Sequence, residues 1–159
     1  ENALADFQGT ARRMELVGQR NGALVYDDYA HHPTEIKATL AALRQKYPKE
    51  KIIAIFQPHT FSRTKAFFGD FARAFSAADL AVLADVYPSA REKKERVGEG
   101  VDMEKMAELA RKNGTEAVFI KNKSEILSYV AGMLGEGNTI VVTMGAGDIW
   151  QVAREFVQK

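Results

Sequence analysis

The sequence predicts an α/β fold in three layers, with a mostly parallel sheet between helices and an antiparallel opening hairpin at one edge. Three observations predict it. From residue 25 onward, short apolar runs alternate with stretches of helical spacing, the pattern of repeated strand-helix units. Residues 52–56, Ile-Ile-Ala-Ile-Phe, are apolar without interruption, as a parallel strand covered on both faces requires. Upstream, Asn21-Gly22 separates two partly apolar runs, and Asn-Gly is the strongest short hairpin signal.

Taken in order, residues 1–6 read as a linker remnant, and Phe7-Gln8-Gly9 with Arg12-Arg13 lead into the first strand, which puts both arginines near the sheet edge. Residues 14–17 and 23–26 form the hairpin strands. The stretch 25–43 follows as strand end, polar loop and helix start: Pro33 suits a first helical position, where its missing N–H costs nothing, and Ile36, Leu40 and Leu43 repeat at helical spacing. Tyr47-Pro48 stops that helix. After strand 52–56 and the loop Gln57-Pro58-His59-Thr60, residues 61–78 are expected as one helix, with Phe67, Phe68, Phe71, Ala74 and Phe75 on a broad apolar stripe. A buried strand at 80–86 closes on Tyr87-Pro88.

Residues 89–100 carry a run of charges followed by glycines and are expected to be a mobile surface loop. A helix from Asp102 stops at Asn113-Gly114, a strand covers 117–120, and a helix over 124–134 is capped by Ser124 and ended by Gly135. The last strand, 139–144, turns through Gly145-Ala146-Gly147-Asp148 into a closing helix carrying Val152 and Phe156.

Length and composition narrow the function. With 159 residues, 46% of them hydrophobic, the chain suits one core and is too short for two ordinary domains, so residues 1–159 are expected to form a single domain. A net charge of +1 offers no general field for a nucleic-acid backbone, so no nucleic-acid partner is expected. The absence of Cys excludes a disulfide framework, thiolate metal ligands and a Cys nucleophile. No apolar run is long enough to span a bilayer, and the expectation is a cytoplasmic protein with no membrane partner.

Three strand-to-helix turns carry unusual side chains, at residues 27–32, 57–64 and 145–148, and all should open on one rim of the sheet. In open α/β sheets ligands bind at such a rim. A strand-end Asp can accept hydrogen bonds from a ribose diol, or it can organise its own loop as an Asx turn, and both readings stand for Asp27 and Asp28. Helix amino termini offer N–H groups to anions, and Arg63 falls in a first helical turn if Thr60 is the cap, where it could grip a carboxylate or phosphate. It could equally be a surface Arg pairing with a neighbour such as Asp70. His31 and His32, being adjacent, point differently and lack further ligands, so no metal site is expected; His59 could be only a cap or loop anchor. Gly145-Ala146-Gly147 is a weak fragment of a dinucleotide fingerprint, and no Gly-x-x-x-x-Gly-Lys-Ser/Thr phosphate cradle occurs.

Five blocks carry a resemblance over nearly the whole chain: Phe7-x-Gly9-x-x-Arg12-Arg13-x-Glu15, Asp27-Asp28-Tyr29-Ala30-His31-His32-Pro33-Thr34-Glu35-Ile36, residues 56–64 (Phe-Gln-Pro-His-Thr-Phe-Ser-Arg-Thr), Asp85-Val86-Tyr87, and Gly145-Ala146-Gly147-Asp148-Ile149. Together they resemble the C-terminal domain of a Mur ligase, a Rossmann-like domain. Within that family the set is most similar to the branch that adds L-alanine to UDP-N-acetylmuramate, with the branch that recycles murein tripeptide as the rival.

The resemblance implies a three-domain, ATP-dependent ligase of peptidoglycan precursor synthesis, in which an N-terminal domain binds the UDP-sugar and a central domain holds the P-loop and Mg. It implies that ATP phosphorylates the muramate carboxylate and that the alanine amine then displaces phosphate from the acyl phosphate, giving the amide. The last domain closes over the others, and alone it is expected to be inactive. Carried over by position, Arg13 is expected near the ATP phosphates and Asp28 at the ribose, with Tyr29, His31 and Arg63 near the amino acid. His59, Thr60, Gly145, Ala146 and Gly147 are possible cleft residues, and Thr60 stands where many relatives have Arg. No catalytic residue is assigned with certainty to this domain. The other class of reading is a freestanding Rossmann-like module that binds a nucleotide or small acid without chemistry.

Overall fold

The computed structural model describes residues 12–95, 100–135 and 138–158. The expected linker 1–6, the lead-in Phe7-Gln8-Gly9 and the end of the charged stretch, 96–99, lie outside them. Six strands form one sheet in the order β1-β2-β6-β3-β4-β5. β1 (Glu15–Arg20) and β2 (Ala23–Asp28) are antiparallel, and β2, β6 (Thr139–Met144), β3 (Lys51–Phe56), β4 (Leu80–Leu83) and β5 (Glu116–Phe119) run parallel. The turn of the hairpin has φ of 47° at Asn21 and 82° at Gly22. Positive values at both central residues are what a turn matching the strand twist needs, and Asn and Gly tolerate them best.

Side-chain alternation along the strands builds two cores. Ile52, Ala54 and Phe56 of β3 face α1 (Pro33–Lys46), α3 (Phe68–Ala72) and α5 (Met103–Lys112), through Leu40, Phe71 and Met106 among others. Ile53 and Ile55 face the opposite way, toward α6 (Lys123–Gly132) and α7 (Trp150–Gln158), through Ile126, Val152 and Phe156. All these residues are at most 1% exposed, so the helices cover both faces of the central strands and leave the strand ends as the place for chemistry.

Four expectations are corrected. Residues 61–78 do not form one helix: α2 (Phe61–Ala66) ends at Phe67, whose φ of −110° and ψ of 23° break the ladder before α3, and 73–77 are turns. Phe71, Ala74 and Phe75 are buried as the stripe implied, but Phe67 remains exposed. Residues 90–95 are not a loop; α4 (Ala90–Glu95) is nucleated by a reciprocal cap in which Ser89 N–H donates to Glu92 Oε2 and Glu92 N–H donates to Ser89 Oγ. The N-cap of α6 is Asn122, not Ser124, which lies in its first turn. The strand after Asp79 ends at Leu83, and beyond it Tyr87 makes only an isolated parallel bridge with His59.

Candidate functional site

Asp28 and Phe56 both pair with Met144 across the sheet, so the loops leaving β2, β3 and β6 emerge at one level on one rim. That register brings the three unusual turns together. In the first, His32 Nδ1 accepts the Thr34 N–H while Glu35 Oε2 accepts the N–H groups of His31 and His32 at 2.9 and 3.0 Å, closing a capping box over α1. Burial alone would raise the Glu35 carboxyl; the two N–H donors and the nearby histidines outweigh it and hold its pKa below the ordinary value. His31 Nδ1 lies 3.1 Å from the Tyr29 carbonyl, and its ring meets the Tyr29 ring edge-on.

Asp28 is 7% exposed, and its two oxygens accept the N–H groups of Ala30 at 2.7 Å and Met14 at 2.8 Å. The Asx turn is therefore formed. Burial pushes the Asp28 carboxyl up, the Asp27 charge adds to this, and the two N–H donors only partly offset it. A pocket of about 250 Å³ brings Asp28 together with Arg13, Tyr29, Glu35 and Thr39. Arg13 is exposed there. An exposed guanidinium can pair with a phosphate and a carboxylate can accept from a hydroxyl, and here the Thr39 side chain also bonds Asp28. Among the described residues, no three His, Asp or Glu side chains gather to hold a metal ion.

The second turn is built on Thr60. Its φ of 71° lies where a β-branched residue is strained, at a cost of about 1–3 kcal/mol. The turn is held by Thr60 N–H to the Tyr87 carbonyl, by Thr60 Oγ1 accepting the Arg63 N–H, and by Thr64 Oγ1 donating to the Thr60 carbonyl at 2.6 Å. Arg63 stands in the first turn of α2 as expected, and its Nη1 is buried without a hydrogen-bond partner among the described residues. Asp70, the neighbour a surface Arg63 could have used, pairs with Arg73 instead. The N–H groups of α2 are not free for an anion, however: Ser62 N–H donates to Glu92 and Arg63 N–H to Thr60. His59 stacks on Tyr87, and burial, then the positive field of Arg63 and that of His31, hold its pKa below the usual imidazole value. His59 thus feels the charges of both Arg63 and His31, while none of the three lines the Arg13–Asp28 pocket.

In the third turn the glycines serve packing. A Cβ on Gly145, whose φ is 149°, would lie 2.6 Å from the Gln57 carbonyl oxygen, and one on Gly147 would lie 2.5 Å from Gln57 Oε1 and 2.6 Å from Tyr87 Cγ. Gln57 is itself buried; Nε2 donates to Asp148 Oδ1, while Oε1 has no partner among the described residues. Asp148 also pairs with Lys123 at 2.6 Å.

Sequence reasoning missed three contributors. Arg12, expected only to lie near the sheet edge, donates through Nε to Asp27 and through Nη2 to the Gly145 carbonyl. Gln57 joins the second and third turns; the sequence placed it in the 57–64 turn without assigning it this role. Glu92 could have been found, since Ser89-x-x-Glu92 is a capping-box signature.

An open sheet whose strand-end loops gather cations, imidazoles and a pocket of about 250 Å³ on one rim is an α/β domain with its candidate ligand site at the strand carboxyl ends. The family model described as "Mur ligase, glutamate ligase domain" matches residues 12–147, and the chain belongs to that family. It is 44% identical over 155 residues to a UDP-N-acetylmuramate--L-alanine ligase of Desulfitobacterium hafniense, covering 98% of this chain and 34% of that protein. A ligase of the same name from Clostridium acetobutylicum is 46% identical over 158 residues, covering 99% and 33%. The crystal structure of UDP-N-acetylmuramate-alanine ligase from Thermotoga maritima superposes with a TM-score of 0.74 at 31% identity, covering 99% of this chain and 31% of that one. The chain therefore spans about a third of the length of the curated relatives it matches.

Proposed function

We propose that this chain is the C-terminal part of an ATP-dependent ligase that joins L-alanine to UDP-N-acetylmuramate. The observation that carries the reading is identity of 44% maintained over 98% of the chain to a ligase of that name. The rim supports a division of labour. Arg13 and Asp28 would face the phosphate and ribose of ATP, and Arg63, supported by Tyr29 and His31, would hold the alanine carboxylate. Mg accompanying ATP would be held mainly by the central domain that the family resemblance implies. ATP would supply the phosphoryl group that activates the muramate carboxyl, and the residues here would bind and orient.

Arg63 tests the reading. Its Nη1, buried without a partner among the described residues, suits a carboxylate, and the first-turn N–H groups, being already used, leave the side chain as the main anchor. In the full-length protein, Arg63→Ala should lower kcat/KM for alanine by about 2 to 4 kcal/mol of transition-state stabilisation. Arg63→Lys should recover only part, because an ammonium cannot reproduce the planar fork. Alanine saturation curves that overlay wild type, at saturating ATP and UDP-sugar, would remove the carboxylate role.

A further inference from the structure

We propose that Glu92 is a positioning residue for Arg63, acting through Ser62 and the first turn of α2; the proposal rests on the reading of Arg63 as the partner of the amino-acid carboxylate. Glu92 lies in the most charged stretch of the chain, yet it is only 7% exposed. Its Oε1 accepts both the Ser62 N–H at 3.1 Å and the Ser62 hydroxyl at 3.0 Å, while Oε2 accepts the Ser89 N–H at 3.1 Å. One carboxylate thereby joins the start of α4 to the start of α2, 30 residues apart in sequence.

The need for such a tie follows from α2 itself. A helix of six residues is too short to be stable alone, since nucleation fixes several dihedrals for one hydrogen bond. Its cap, Thr60, is held at a backbone angle that a β-branched residue disfavours. Support must come from outside, and α4 supplies it twice. Glu92 takes the Ser62 donors, and Lys93 lies 4.7 Å over the ring of Tyr87, whose carbonyl accepts the Thr60 N–H. Burial alone would raise the Glu92 carboxyl, but the Ser62 and Ser89 donors hold its pKa below the ordinary value, so at neutral pH it is a charged acceptor. Arg63 follows Ser62 directly, and its buried Nη1, without a partner among the described residues, keeps its place only if the turn carrying it cannot fray.

The test uses Glu92→Ala, Glu92→Gln and Arg63→Ala in the full-length protein, with amide hydrogen exchange over residues 61–64 and separate KM values for alanine and ATP. Glu92→Ala should speed exchange in that segment and raise the alanine KM about tenfold, the loss of roughly one charge-assisted hydrogen bond, with the ATP KM within about twofold of wild type. Glu92→Gln should recover part of both effects, because its carbonyl oxygen still accepts from Ser62. Unchanged exchange in Glu92→Ala overturns the proposal, and so does faster exchange with an unmoved alanine KM while Arg63→Ala raises it. If Arg63→Ala leaves the alanine KM unmoved, the reading of Arg63 fails, and the proposal with it.

Discussion

Arg12 donates through Nε to Asp27 Oδ2 at 2.9 Å, and the same guanidinium reaches the Gly145 carbonyl at 2.7 Å, so one side chain ties the start of β1 to the ends of β2 and β6. Asp27 is 3% exposed and receives a second bond from the Thr143 hydroxyl at 2.6 Å. Removing Arg12 leaves a buried carboxylate half-satisfied. Arg12→Ala should therefore destabilise the domain by about 2 to 4 kcal/mol, with Arg12→Lys intermediate, in urea unfolding of the 159-residue chain. A loss below about 0.5 kcal/mol, usual for exposed ion pairs, would show that the pair is solvated in solution.

The turn after β6 tolerates no side chains at its two glycines. At Gly145 the clash is with backbone, the Gln57 carbonyl, and the φ of 149° disfavours any Cβ as well. At Gly147 the first obstacle is the Gln57 side chain, which can yield, and the second is the Tyr87 ring. Both alanine variants should lower the unfolding midpoint, Gly145→Ala by more, with losses of about 1 to 3 kcal/mol or above. Equal midpoints for wild type and Gly145→Ala would contradict the close approach of the two loops.

How far the sequence could be read depended on the range of the forces involved. The hairpin was legible because Asn21-Gly22 meets its backbone requirement within two residues, and strand β3 because five apolar residues in a row admit few other fates. The break at Phe67 was not, because the apolar stripe of 61–78 continues through it. In the site, convergence of three turns on one rim followed from their all being strand-to-helix turns of a parallel sheet. The Arg12 to Asp27 pair did not, because it exists only once the sheet sets residue 12 beside residues 27 and 145. Glu92 was legible in principle, but its capping signature lies inside a charge run that composition reads as solvated loop.

Asp148 gives a pH test of the junction between β6 and α7. Burial alone would raise its carboxyl, but Lys123 and the Gln57 amide outweigh that and hold it below the ordinary Asp value. A carboxyl depressed in the folded state contributes stability that is fully present above its unfolded pKa and is lost as pH falls through the folded one. Asp148→Asn should thus lower the melting temperature at neutral pH and flatten its decline on the acid side. Parallel acid limbs for the two proteins would mean that the Lys123 pair is too screened to matter.

Asp28 separates a structural role from a binding role, because the two respond oppositely to acid. Its carboxyl is raised by burial and by the Asp27 charge, so protonation favours the folded state, and this group's contribution to stability rises as pH falls through the raised pKa. A ribose partner behaves the other way. The ionised oxygens, already accepting from Ala30 and Met14, hold a hydroxyl best when charged, so the KM for ATP should rise over the same acid range. In the full-length protein at neutral pH, Asp28→Ala should weaken ATP by about 1.5 to 3 kcal/mol, more than it weakens alanine. It should also free two N–H groups and lower the melting temperature. Initial rates against ATP concentration, taken on wild type and variant from neutral to mildly acid pH, decide between the roles. A variant that melts early but keeps the wild-type KM for ATP leaves Asp28 as the organiser of its loop alone, and a raised alanine KM with unchanged ATP kinetics reverses the two sides of the rim.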